Sequence, residues 1–161
     1  LEWLTSHLSK RTVHEIVAFD THLHRNIKSS YTSQLWAAAY IIMGGCSDDC
    51  FDYFRGWLLF QGKETYEACI QNPERLLPVL ESLEENDFPQ IEELTLYYGQ
   101  TVYEEKTGID DDTYFTLYHV LSDETFEDAD IEFDWNEDDE ERLKAMFPGL
   151  WEAYGDNPLE W

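Results

Sequence analysis

Nine consecutive residues, Leu35-Trp36-Ala37-Ala38-Ala39-Tyr40-Ile41-Ile42-Met43, carry no charge and no strongly polar side chain. Gly44-Gly45 then ends the run. It is about half the ~18 residues needed to cross a bilayer. A helix apolar nearly all round has no face to give to water, so the rest of the chain has to fold around it. Six Trp, ten Tyr and nine Phe among 161 residues supply the material for that wrapping. A globule of this length buries roughly 70% of the surface its unfolded chain exposes.

The remaining segments read mostly as helices. Thr12-Val13-His14-Glu15 fits a capping box, and Ile16, Phe19, Leu23 and Ile27 follow at helical spacing to about Lys28. The apolar helix spans about 32–43. Ser47 caps a third helix, with Asp48 and Asp49 in its first turn, where carboxylates answer the helix dipole. Phe51, Phe54, Trp57 and Leu58 form its apolar side, and Gly62 ends it. A short helix is expected over 63–71. Asn72-Pro73 opens another through Leu83, broken near Pro78. Pro89 opens a longer helix to Lys106, with Ile91, Leu94, Tyr98 and Val102 facing in and Gly108 as its C-cap. Residues 110–122 fit helix or strand, and 123–134 read as an acidic loop. Asn136 is expected to cap a last helix through Phe147, and Pro148-Gly149-Leu150-Trp151 to pack back on the domain. The expected fold is mainly α: one compact multi-helix domain over residues 1–161, with irregular acidic loops.

Charge is unevenly placed. The formal net charge is −25. Residues 1–80 hold 9 acids and 7 bases, while 81–161 hold 26 acids and 3 bases. A nearly neutral helical half is thus followed by a strongly acidic one. Such a balance excludes direct binding to a nucleic-acid backbone, which needs a positive face. No apolar run is long enough for a membrane span, and no signal peptide is visible. Three cysteines, Cys46, Cys50 and Cys69, suit a reducing compartment better than a disulfide framework, and the cytoplasm is the expected location. Their plainest reading is as small buried thiols. The chain opens at Leu1 without a Met, as an N-terminally trimmed chain would.

Chemistry concentrates at Gly44-Gly45-Cys46-Ser47-Asp48-Asp49-Cys50-Phe51-Asp52-Tyr53-Phe54-Arg55-Gly56-Trp57. Asp48 and Asp52 are four apart and share a helical face; Asp49 lies about 100° round. A carboxylate pair there can hold a divalent cation or serve as acid and base. The plainer reading makes Ser47 a cap, Asp48 and Asp49 dipole partners, and Asp52–Arg55 an internal tie. No Lys-Ser/Thr follows the glycines, so this is not a P-loop. Asp20 and His24 are also four apart, a spacing that holds a metal or sets a histidine tautomer. His22 and His24 are therefore weak metal candidates beside Asp48 and Asp52; otherwise they, with His14, read as helix-surface residues. Cys46 precedes a helix start, but the aspartates beside it raise a thiol pKa. No calcium-loop spacing is present, since Asp110, Asp111 and Asp112 are consecutive.

Across Leu35-Trp36-Ala37-Ala38-Ala39-Tyr40-Ile41-Ile42-Met43-Gly44-Gly45-Cys46-Ser47-Asp48-Asp49 and Phe51-Asp52-Tyr53-Phe54-Arg55-Gly56-Trp57-Leu58, the chain resembles the bacterial family called domain of unknown function 4240. Weaker blocks are Glu15-Ile16-Val17-Ala18-Phe19-Asp20, Tyr103-Glu104-Glu105-Lys106-Thr107-Gly108 and Phe147-Pro148-Gly149-Leu150-Trp151, so the resemblance runs along nearly the whole chain. Cys50 stands where that family usually has Gly. A helix expected ahead of Leu1 is missing, in keeping with a trimmed chain. The resemblance implies a small, soluble, intracellular bacterial domain. It implies no activity, substrate or cofactor. It directs attention to Trp36, Tyr40, Asp48, Asp49, Asp52, Arg55 and Trp57.

Three functions fit these residues. The first is a non-catalytic protein-binding or regulatory module, needing no cofactor, whose acidic half attracts a basic-surfaced partner and whose Phe126, Ile131, Phe133 and Trp135 anchor it. The second is a metal-dependent enzyme or ligand-binding protein using Asp48, Asp49 and Asp52. The third is a nucleic-acid mimic that occupies a basic protein.

Overall fold

The computed structural model describes residues 2–84, 87–92, 98–109, 111–122 and 131–159. In chain order the helices are α1 (Glu2–Leu8), α2 (Val13–Ser29), α3 (Ser33–Met43), α4 (Asp48–Phe60), α5 (Lys63–Gln71), a 3-10 turn (Pro73–Leu76), α6 (Leu77–Leu80), α7 (Tyr98–Thr107), α8 (Asp111–Ser122), α9 (Glu140–Met146), α10 (Pro148–Leu150) and a π turn (Trp151–Gly155). The protein is mainly α, with no strand among the described residues. No helix among them is long and apolar enough to cross a membrane.

The chain forms two compact units, Leu1–Lys28 with Glu92–Asp128 and Ser29–Ile91 with Ala129–Trp161. These do not follow the two charge halves, because each unit joins a segment from the neutral half to one from the acidic half.

In the second unit α3 is the central element. Leu35, Ala37, Ala38, Ala39 and Ile42 are fully buried. Thr32 caps the helix by accepting from Leu35 N, and Gly44 stops it in the left-handed conformation at φ 65°. A Cβ at Gly44 would lie 2.7 Å from Pro158 Cγ, so this stop needs glycine for space as well as for backbone angle. Trp36 stacks on Phe51 at 4.7 Å, and the series continues through Phe54 to Trp57 along α4. Leu150 is fully buried in the same core, and Leu159 N donates to Ile42 O. Glu74 accepts from Gly149 N at 2.9 Å, so the tail returns to the core as expected.

The first unit contains α1, α7, α8 and all but the last residue of α2. The capping box forms as expected: Thr12 N donates to Glu15 Oε2 at 2.8 Å, and Glu15 N donates to Thr12 Oγ1 at 3.3 Å. The side chains between α2, α7 and α8 include a buried polar ladder described below.

Several expectations are corrected. The helix proposed from Pro89 is absent over 89–92. There Ile91 N donates to Tyr53 O and the Gln90 side chain turns to Cys50, so tertiary contacts hold these residues along an irregular path. Among the described residues that helix begins at Tyr98, and Leu94 lies outside them. Gly108 does end it, at φ 69°. The 73–83 segment is a 3-10 turn followed by a short helix ending at Leu80, with Pro78 in the first turn of α6, where its missing N–H costs nothing. Residues 111–122 are helical. Asn136 caps only a turn, accepting from Asp138 N, while Asp139 caps α9 by accepting from Arg142 N. The proposed loop over 123–134 and the Phe126 anchor fall mostly outside the described residues; 131–134 carry no helix.

Candidate functional site

The α3–α4 junction holds the residues singled out in the sequence. Ser47 Oγ accepts from Cys50 N and caps α4. Asp48 and Asp49 stand exposed in its first turn. Arg55 donates to Asp52 one turn earlier. Arg55 is 3% exposed, and its guanidinium lies over the rings of Tyr31 and Phe51, 4.7 Å and 5.0 Å from their centroids. A buried cation that meets a carboxylate and aromatic faces is a packing device as much as a binding one. Trp57 and Trp36 are buried; Trp36 Nε1 donates to Cys46 O at 2.8 Å. Tyr40 is half-buried and packs on Trp135. Burial, then the charges of Glu137 and Asp138, push its phenol above the usual range.

The three carboxylates of α4 do not converge. Asp52 is taken by Arg55, and Asp48 and Asp49 face water. His22 is exposed on α2 in the first unit. Among the described residues no group of three His, Cys, Asp or Glu is placed to hold a metal ion.

His24 is not the surface residue that its helix position implied. It is buried, and its Nδ1 lies 2.9 Å from Tyr118 Oη. One turn earlier on α2, the fully buried Asp20 accepts from Tyr114 Oη at 2.6 Å and from Gly99 N at 2.9 Å. Asp20 and His24 thus match Tyr114 and Tyr118, two pairs at four-residue spacing on facing helices. A Cβ at Gly99 would come within 2.5 Å of both Asp20 and Tyr114, so this close approach requires glycine. Burial raises Asp20 to about 6, against the two hydrogen bonds, which favour its charge. Burial and the neighbouring carboxylate push Tyr114 well above the usual phenol range. The sequence signalled half of this ladder, the Asp20/His24 spacing. Its tyrosine partners lie 94 residues away.

The acidic segment takes a defined form over 131–142. Asp134 accepts from Ser33 Oγ at 2.8 Å and pairs with Arg142 at 2.9 Å. The Ser33 hydrogen bond, with help from Arg142, holds its carboxyl below the usual range. Trp135 Nε1 donates to Ser33 O. Ile131 and Trp135 pack against the core, whereas Phe133 remains 50% exposed. The Phe133 ring meets Trp36 edge-on at 5.2 Å and Trp135 at 5.7 Å. Seven carboxylates between Glu132 and Glu141 are all exposed.

No curated protein and no solved structure matches the chain. A family model described as a protein of unknown function (DUF4240) matches residues 1–105. The matched span takes in α1 to α6 and nearly all of α7, including the whole α3–α4 junction, while the similarity noted at 147–151 lies beyond it. Nearly two thirds of the sequence is covered, and the chain belongs to the DUF4240 family.

Proposed function

We propose that this chain is a non-catalytic protein-binding or regulatory module that takes a basic-surfaced partner on residues 131–142. The observation that carries this reading is the half-exposed Phe133, braced from beneath by Trp36 and Trp135, within a run of seven exposed carboxylates. An aromatic already held by two rings loses little freedom on binding, so it is suited to anchor a contact. The surrounding carboxylates steer a basic partner towards it. Arg142 neutralises one of them and also fixes the backbone by donating to Asp134 O. Three thiols with no disulfide favour a reducing compartment, and we place the protein in the cytoplasm on that ground.

The test is fluorescence anisotropy with a labelled Lys/Arg-rich peptide that carries one apolar anchor residue. Binding is expected to weaken on the order of tenfold between low and physiological ionic strength. Phe133→Ala is expected to weaken it by a further factor of about 5–30, or about 1–2 kcal/mol. Binding indifferent to both changes overturns the proposal.

A further inference from the structure

We propose that the cleft beside α5 and α6 binds a small organic monocarboxylate, with Arg75 taking the carboxylate and Ala68, Pro78 and Val79 the carbon chain. The cleft lies on residues 61–82, separate in sequence from the 131–142 face, and neither reading depends on the other.

A turn in the chain makes the cleft. Asn72 ends α5 in an extended conformation, at φ −149° and ψ 101°, and its side chain accepts from Glu74 N at 3.2 Å. Pro73 then opens the 3-10 turn, which packs back against α5. Tyr66 and Cys69 of α5, and Leu76 and Leu80 beyond the turn, are buried in the core. Together these segments frame a cleft of about 440 Å³, within the range of about 300–1,000 Å³ usual for small-molecule sites.

The lining divides by chemistry. Ala68, Cys69, Pro78 and Val79 give an apolar wall, and Gln61, Thr65, Arg75 and Ser82 supply polar groups. Two of the polar side chains already donate within the protein: Gln61 Nε2 to Trp57 O at 3.1 Å, and Ser82 Oγ to Val79 O at 2.6 Å. The Thr65 hydroxyl and the exposed Arg75 guanidinium have no hydrogen bond or ion pair among the described residues. The strongest donors left for a ligand are therefore a guanidinium and a hydroxyl.

An arginine without a carboxylate is unusual in a chain of 35 acids and 10 bases. The nearby carboxylates are engaged elsewhere: Glu67 lies 3.8 Å from Lys63, and Glu74 accepts from Gly149 N at 2.9 Å. Among the described residues Arg75 is the one charge lining the cleft. Its field reaches the apolar wall: burial raises the Cys69 thiol to about 11, and the Arg75 charge opposes that rise. A planar fork of N–H donors matches a carboxylate or a phosphate. One guanidinium balances one negative charge, and the net charge of −25 opposes any further one. A monocarboxylate is favoured over a phosphate dianion on that ground. The apolar wall favours a ligand with a hydrocarbon part to bury.

Hexanoate is the probe, followed by amide NMR spectra of the folded 161-residue chain at fixed pH and ionic strength. It is expected to shift amides within 61–82 saturably, with a Kd on the order of 1 mM. Inorganic phosphate and hexylamine at the same concentration are expected to leave those amides in place. Arg75→Gln, at an exposed residue with no partner to lose, is expected to weaken hexanoate binding about tenfold or more with thermal unfolding unchanged. Ala68→Phe, which fills the cleft from the exposed side of α5, is expected to abolish binding although Arg75 remains. No saturable shift within 61–82, equal binding by Arg75→Gln, or a phosphate response as strong as that of hexanoate overturns the proposal.

Discussion

The two units bury different chemistry. The second is built on an apolar helix with stacked rings: Trp36 on Phe51, then Phe54 and Trp57. The first buries a charged-polar ladder in which Asp20 meets Tyr114 and His24 meets Tyr118. Apolar packing is tolerant of direction and grows with area. A buried hydrogen-bonded ladder depends on each partner, because a lost partner leaves a desolvated group behind. The second unit should therefore answer to volume, and the first to pairing and to pH.

The largest expected effect follows from volume. Phe54 is fully buried, and Phe54→Ala should cost about 3–5 kcal/mol, read as loss of hydrogen-exchange protection in segments of the second unit. A cost below about 1 kcal/mol would break the comparison, since that core would then be loosely packed.

Pairing comes next. Asp20→Ala leaves Gly99 N–H and Tyr114 O–H without their acceptor and should cost roughly 2–4 kcal/mol in the first unit. Asp20→Asn keeps the shape and removes the titration. The Asp20 carboxyl is raised from 3.8 to about 6, so the folded state binds its proton more tightly than the unfolded state does. The contribution is fully present below about pH 4 and is lost as pH rises through about 6, amounting to about 3 kcal/mol. Relative to Asp20→Asn, the wild type should lose that much stability between pH 4 and pH 7, as measured by urea unfolding at each pH. A difference that stays flat would mean the carboxyl is hydrated rather than buried.

The smallest effects lie at the caps. Ser47→Ala in the second unit and Thr12→Ala in the first should each cost about 1 kcal/mol in thermal unfolding. Equal costs would show that local helix starts are indifferent to the kind of core beneath them.

The same contrast explains what was legible in the sequence. An all-round apolar run, a Gly-Gly stop, a Ser47 cap and an Asp52–Arg55 pair are local signals, and α3 and α4 follow from them. The polar ladder was not legible as a whole, because Asp20 gives no sign of which of ten tyrosines it meets. Gln90 reaches Cys50 across 40 residues of chain and hides in the same way. Pro89 misled because proline suits a helix start and a turn equally. Asn136 misled because Asp138 and Asp139 follow it, each also able to cap, and the choice among them is settled by Arg142 and Asp134. In the acidic segment the charge was obvious, but the division of labour between Trp135, which packs, and Phe133, which stays exposed, is a tertiary fact.

The most direct test of the proposed binding face is the salt dependence of peptide affinity for the wild type and for Glu137→Gln/Asp138→Asn/Asp139→Asn, in which Asn at 139 preserves the α9 cap. The expected result is weaker binding and a clearly shallower salt slope for the triple variant, with its thermal stability unchanged. An unchanged slope and affinity would place the partner elsewhere on the molecule and contradict the assignment of 131–142 as the binding face.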